Sequence, residues 1–391
     1  MIPPSPAAPP PTITTLQLGM SWLPEQPGNG LDRMYHALTT HLPEAGVEVR
    51  GLVAGSADVA RTSRETVRAF APPDASLGAR VRGLRREVRA LTTDRQAFDL
   101  VAAHFPLYAA PSLDLLSGYP LVVHFHGPWA LESEAEGEAW PLTTAKAGVE
   151  RLLYRRADRF IVLSEAFRAL LCTRYGVPPN RVRIVPGGVD TTRFAPSGSR
   201  TEARAHLGWP EDRPVVLTVR RLARRMGLEH LIEAVAALRA RVPDVLLYIA
   251  GQGPLRAELD AQIDALGLHD HVRLLGFVPD ADLPRAYRAA DLSVVPTVQL
   301  EGFGLITVES LAAGTPVLAT PVGGLPEILR PLSDALVLPD PSVGALTDAL
   351  GRALTGQLPL PSSQDCRRYA QEHYSWPAVA RRVRAVYEEL V

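Results

Sequence analysis

Short, apolar, β-branched runs recur along this chain, separated by longer stretches of helical period, and this alternation restricts the folds open to it. In the first half the runs occupy residues 13–19, 47–53, 100–104, 121–126, 159–163 and 182–185. In the second half they occupy 215–219, 245–250, 272–275, 292–295, 317–319 and 335–338. Most lack the polar alternation of a strand with one wet face. Continuously apolar strands between helices imply parallel sheets covered on both sides. Two series of about six strands each predict an α/β protein with two doubly wound sheets. A length of 391 residues also exceeds what one core holds.

The passage between the sheets is expected at 186–199, PGGVDTTRFAPSGS, which is rich in Pro, Gly and Ser and has no helical period. That divides the chain into an N-terminal domain at 12–190 and a C-terminal domain at 191–374. From 375 onward a capped helix is expected. Ser375 stands as N-cap, and Trp376, Val379, Val383, Val386 and Leu390 repeat at 3 and 4 spacing. Such a stripe needs a surface to cover. Residues 1–11, mostly Pro, Ala and Ser, read as a disordered tail.

An apolar content of 46% and a net charge of −1 exclude a disordered or collagenous chain and give no electrostatic reason to expect nucleic acid. Cys172 and Cys366 stand too far apart for a thiolate metal site or a disulfide framework, which fits a reducing cytosol. Neither a membrane-length apolar run nor a signal peptide is apparent. The expected location is cytoplasmic. Lys146 is the only lysine among 41 basic residues, so anions here meet guanidinium groups.

Three Gly-rich spots follow strands: Pro27-Gly28-Asn29-Gly30, Gly251-Gln252-Gly253-Pro254 and Glu301-Gly302-Phe303-Gly304. Glycine lets a backbone approach a ligand, and the free N–H groups of a helix start attract anions. None completes a dinucleotide fingerprint, since Arg33 and Arg256 stand where a third glycine belongs. The strongest constellation is LEGFGLITVESLAAGTPVLATPVGGLP, residues 300–326. Glu301 falls in the loop before a helix, and Glu309 about one to two turns inside it. The two can therefore reach different parts of one extended ligand, with the amides of Gly302 to Leu305 facing a phosphate between them.

This segment is similar to the signature of retaining glycosyltransferase family 4, within the GT-B glycosyltransferases. Other pieces match in order: Pro186-Gly187-Gly188-Val189-Asp190 with Arg193-Phe194, Arg221-Leu222 with Gly227-Leu228, Gly276-Phe277-Val278, and His124-Phe125-His126-Gly127. The resemblance implies two Rossmann-like domains facing across a cleft, with the nucleotide-sugar on the C-terminal side and the acceptor on the N-terminal side. It implies that the last helix crosses back to the N-terminal domain. Carried over by residue, Glu309 binds the ribose and Glu301 the donor sugar. Amides of Phe303, Gly304 and Leu305 meet sugar and diphosphate. Main chain near Phe277 and Val278 reads the base, Arg221 neutralises the diphosphate, and Gly30 belongs to the glycine loop facing the donor. Where the family carries a lysine, this chain has Met226. Arg225 is the expected replacement, with Arg224 as its rival.

By the same resemblance His126 and His104, at strand ends with His124 nearby, touch sugar or acceptor rather than act as bases. Retention of anomeric configuration and metal-independent catalysis, with no cofactor, are the expectations. The stretch 128–138 places Trp129 and Glu132, Glu134, Glu136 and Glu138 after His126, either framing a polar acceptor or lying in a solvated loop. Arg82, Arg85, Arg86 and Arg89 at helical spacing could rest on an anionic membrane on its inner face or be plain solvated charge. A GT-B phosphorylase would need a lysine for pyridoxal phosphate in the second half, where there is none. A GT-B nucleotide-sugar epimerase and a non-catalytic sugar-nucleotide-binding protein stay open as alternatives.

Overall fold

The computed structural model describes residues 11–23, 25, 29–94 and 96–391. Residues 1–10 of the proline-rich tail, residues 24 and 26, Pro27 and Gly28 of the first glycine loop, and Arg95 lie outside the described residues.

The first sheet contains β1 (Ile13–Ser21), β2 (Val47–Ala54), β3 (Val67–Ala71), β4 (Leu100–Ala103), β5 (Leu121–Phe125), β6 (Arg159–Val162) and β7 (Val182–Ile184). All its pairs are parallel, in the order β3-β2-β1-β4-β5-β6-β7. The second contains β8 (Val215–Val219), β9 (Leu246–Ala250), β10 (Val272–Gly276), β11 (Leu292–Val295) and β12 (Val317–Ala319), again parallel, in the order β10-β9-β8-β11-β12. The count of six and six is thus corrected to seven and five. The additional strand, VRAFA at β3, lies at a sheet edge and exposes Arg68, so it lacks the continuous apolar run of the others. Residues 335–338 form a 3-10 turn, Asp334–Leu336, with a single bridge from Val337 to Ala319 in place of a strand.

Each sheet reverses direction beside its first strand, at β1/β4 and at β8/β11. Crevices for ligands open there, beyond the carboxyl ends of the strands. Alternate residues load the two faces of the first sheet. Leu100, Ala102, Val122 and Ile161 share one core with Met34 and Leu38, while Val101, Ala103, Val123 and Phe160 share another with Leu84 and Val88.

The helix Trp376–Tyr387 completes the first of these layers. Trp376, Val379, Val383 and Val386 are buried as the periodicity requires, whereas Leu390 lies beyond the helix and is half-buried. Ser375 occupies the N-cap position, but its hydroxyl makes no capping bond. Arg384 donates to the carbonyls of Pro11, Ala45 and Gly46, which fastens the helix to the N-terminal layer. The two stretches of chain that pass between the halves run side by side. Val189 N–H donates to the Tyr374 carbonyl at 2.8 Å, and Gly188 lies so close to the Trp376 ring that a Cβ there would sit 2.7 Å from it.

Candidate active site

The loop before the helix Leu305–Ala313 is shaped by close backbone packing. Gly304 caps that helix at φ 85°, a left-handed conformation open to glycine. Gly324 N–H donates to the Glu301 carbonyl at 3.1 Å, and a Cβ on Gly323 would run into the same oxygen. These contacts aim the Glu301 side chain at Arg220, whose Nη2 lies 2.6 Å from Oε2; the two side chains are only 7% and 13% exposed. Thr297 bonds to the same pair. Such a buried, hydrogen-bonded pair holds one carboxylate oxygen and leaves the other available.

Arg220 was not among the residues singled out from sequence; Arg221 was. After β8 the Arg220 N–H still donates to the Ala250 carbonyl, so strand alternation continues and turns 220 inward and 221 out to solvent. Arg221 is exposed but remains within electrostatic reach of Glu132. Met226 packs into the core of the second domain at 7% exposure. Arg224 turns outward to Glu258 at 2.9 Å. Arg225 alone of these three enters the cleft. It donates to the Leu300 carbonyl at 2.9 Å and meets Glu136 at 3.3 Å and Glu132 at 3.6 Å across the cleft.

Glu309, on the second turn of the helix, accepts from Tyr287 Oη at 3.0 Å. Burial raises its pKa, and the Arg33 charge opposes that. Arg33 comes from the N-terminal domain and pairs with Asp280 at 2.9 Å; Arg193 donates to the Asp280 carbonyl. A cavity of about 520 Å³ lies here, lined among others by Arg33, Phe277, Leu305 and Glu309. Phe277 is exposed, while Val278 is half-buried against the core. Gly30 opens the helix on the facing wall, where a Cβ would stand 4.0 Å from Leu305. Phe303 is buried beside Tyr374, and Gly302 packs on Phe167, so both offer main chain only.

On the N-terminal side His104, His124 and His126 stack, with centroids 4.2 Å apart for the first two and 5.4 Å for His104 and His126. Burial lowers the pKa of all three, that of His126 to about 4. His104 is corrected as a substrate contact: both its nitrogens are engaged, Nε2 with Gln17 at 2.9 Å and Nδ1 with His126 at 3.1 Å. His124 is bonded to Tyr387 Oη. Half-buried His126 retains a nitrogen, Nδ1, that is itself buried and without a partner among the described residues.

Trp129 does not offer a free stacking face, because Lys146 lies over its ring at 4.9 Å and Phe105 meets it edge-on. On the helix Leu77–Leu91 one of the four arginines at helical spacing is engaged within the domain. Arg85 forks onto Asp114 at 2.6 and 2.7 Å, whereas Arg82, Arg86 and Arg89 are exposed, Arg86 beside Glu87. No helix among the described residues is long and apolar enough to cross a membrane. Gln17, Arg33, Asp280 and Tyr387 were also passed over. Only Gln17 carried a signal, as the one amide inside the apolar run ITTLQLGM.

Two family models match this chain: glycosyltransferase family 4 over residues 28–193, and glycosyl transferases group 1 over residues 199–373. The MMP α-(1→4)-mannosyltransferase of Mycolicibacterium hassiacum is 31% identical over 78% of this chain and 74% of its own length. A D-inositol 3-phosphate glycosyltransferase of Salinispora arenicola is 35% identical over 75% and 69% respectively. Among solved structures, Anabaena HepE in complex with UDP and glucose superposes with a TM-score of 0.76, at 21% identity, over 97% of this chain and all of that one. Its fold is that of a GT-B glycosyltransferase, and the chain belongs to glycosyltransferase family 4.

Proposed function

We propose that this glycosyltransferase moves a hexose from a nucleoside-diphosphate sugar to a hydroxyl acceptor, with retention at the anomeric carbon and without a metal ion. One arrangement carries the reading. Arg225, Glu301 and Glu309 surround the start of the helix Leu305–Ala313, while His126 follows β5 on the facing wall.

As the anomeric C–O bond breaks, positive charge grows on the sugar ring and negative charge on the diphosphate. The helix-start amides and the Arg225 guanidinium suit that diphosphate. Glu301, steadied by Arg220, offers its second oxygen to sugar hydroxyls. Glu309 offers a carboxylate to the ribose inside the cavity beside Phe277. Retention fits a front-face attack in which the departing phosphate oxygen takes the acceptor's proton. With a pKa of about 4, His126 is a weak base at neutral pH and poorly suited to be the side-chain base that inversion needs.

The complex of HepE with UDP and glucose supports a nucleotide-sugar donor, and the relatives' names support a sugar or cyclitol acceptor. These same names favour transfer over epimerisation or mere binding. The exposed Arg82, Arg86 and Arg89, at i, i+4 and i+7 of one helix, would also allow peripheral contact with anionic lipid.

The test is turnover with UDP-, GDP-, ADP- and TDP-sugars in EDTA, with proton NMR of the first-formed glycoside. Full activity in EDTA and a product of the donor's own anomeric configuration are expected. An inverted centre would remove the retaining step, and a strict divalent-ion requirement would remove metal independence. Conversion of donor without acceptor would point to an epimerase.

A further inference from the structure

Behind His126 lies a closed network of side chains that the proposed chemistry does not use. Gln17 is fully buried in the middle of β1. Its amide nitrogen lies 3.0 Å from Thr15 Oγ1 and 3.2 Å from Tyr387 Oη, and its oxygen 2.9 Å from His104 Nε2. His104 Nδ1 then meets His126 Nε2 at 3.1 Å.

Two proton arrangements satisfy these distances, and they differ at every link. In one, Gln17 donates to Thr15 and Tyr387 and accepts from His104. In the other the amide is flipped and every proton moves to the opposite partner. Thr15 distinguishes them. Its hydroxyl has one proton and lies 3.1 Å from the Glu48 carbonyl, which can only accept. With the proton committed there, Thr15 Oγ1 accepts from Gln17. The Gln17 oxygen must then face His104, which carries its proton on Nε2 and a lone pair on Nδ1. His126 donates from Nε2 in turn, and its Nδ1 is left as a lone pair. Tyr387, already accepting from Gln17, gives its own proton to His124 Nε2 at 2.8 Å.

The unpartnered atom agrees with this arrangement. His126 Nδ1 is buried and bonded to nothing among the described residues. An unmet lone pair is tolerated better than an unmet N–H in the same position.

We infer that Gln17 is a positioning residue: oriented by Thr15, it sets the tautomer of His126 and keeps the buried Nδ1 of that ring as a hydrogen-bond acceptor. Any group that reaches this atom when the cleft is occupied must donate a proton to it, as a hydroxyl does and a carbonyl or ionised phosphate oxygen does not. This last consequence rests on the reading of the cleft proposed above. The placement of the protons does not. Tyr387 makes the closing helix a member of the same network, so the far end of the chain helps hold the β1 amide that governs a strand-end imidazole.

The tautomers can be read directly, without substrate, by long-range ¹⁵N–¹H correlation on the full-length protein labelled at its ten histidines. Substitution of each of the three identifies its signals. The expected result is a neutral ring with the proton on Nε2 for His104 and His126, and on Nδ1 for His124. A proton on Nδ1 of His126 overturns the inference. Two variants then test the cause. Gln17→Met removes the acceptor for His104, and Thr15→Val, nearly isosteric, frees the amide to flip. Each is expected to bring up a second, Nδ1-protonated set of His104 and His126 signals. Turnover should fall about tenfold in Gln17→Met, the worth of one buried hydrogen bond to a reacting partner, with donor KM little changed. Unaltered tautomers in both folded variants would remove Gln17 from the role. Should either variant fail to fold, the wild-type spectrum and the other variant still decide. Loss of the sugar-transfer reading would show as absent turnover with the wild-type tautomers in place, so the two failures are distinguishable.

Discussion

At the scale of single residues, the site is governed by which arginine answers which carboxylate. Arg220 and Glu301 form a buried pair, so Glu301→Gln removes a ligand group and also strands a cation. Breaking such a pair costs about 3–5 kcal/mol. The variant should therefore lose at least a hundredfold in kcat/KM and also melt earlier. Glu309→Gln has no buried ion-pair partner to strand and should lose donor affinity with little change in melting. Calorimetric titration of donor beside thermal melts separates the two. Arg225→Met should lower kcat by about a hundredfold, while Arg225→Lys keeps the charge and recovers part of it.

The paired acids were legible because their spacing sits inside a recognisable segment. The choice between Arg220 and Arg221 was not, since it depends on one backbone hydrogen bond beyond the end of β8. The histidines carry a further consequence. His126 titrates at about 4 in the fold against 6.5 when free, and His104 and His124 are lowered as well. Between those pH values the unfolded chain binds more protons, so stability is lost as pH falls from about 6.5 toward 4. Glu150, raised to about 7, and Glu132 and Glu309, also raised by burial, act in the opposite sense over part of that window, against four lowered histidines, His36 included, two of them held well below the free value. Melting temperature should drop on acidification through this range, and a flat profile there would contradict burial of neutral rings.

At the scale of elements, most strands could be read from their apolar runs, and the helix after 375 from its stripe. Arginine-bearing β3 escaped because an edge strand need not be apolar throughout. Residues 335–338 misled because an apolar run of that length can equally close a 3-10 turn. Positive-φ glycines add information that no periodicity contains. Gly323 (φ 59°) abuts the Glu301 carbonyl, whereas Gly267 (φ 61°) faces open space. Gly267→Ala should cost only the backbone strain, about 1 kcal/mol, and leave activity intact. Gly323→Ala adds a backbone collision and should abolish donor binding. Parallel melts and titrations of this matched pair isolate the part due to loop placement.

At the scale of the whole molecule, two facing sheets with a returning helix follow from the order of the segments. The contacts that span the cleft do not, because each joins single polar residues far apart in sequence. Arg33 meets Asp280, and Arg225 meets Glu132 and Glu136. The Glu327 carboxylate accepts from the N–H groups of Glu165 and Ala166, at the start of the helix Glu165–Tyr175 in the opposite domain. Carboxylates at helix starts are stabilising by roughly 0.5–2 kcal/mol. Glu327→Ala should therefore shift the ligand-free protein toward a more open arrangement, seen as a larger radius of gyration in small-angle scattering. An unchanged radius would assign closure to the arginine contacts alone.

The return of the last helix also sets a timetable for synthesis. The final strand of the first sheet ends at Ile184, but Tyr387, which lies among its histidines, leaves the ribosome about 200 residues later. At roughly 5–20 residues per second, the nascent N-terminal half waits about 10–40 s with the bed for Val379 and Val383 uncovered. Synthesis must therefore pass Tyr387 before that half is complete, and until then the apolar bed of the returning helix stays open to a chaperone.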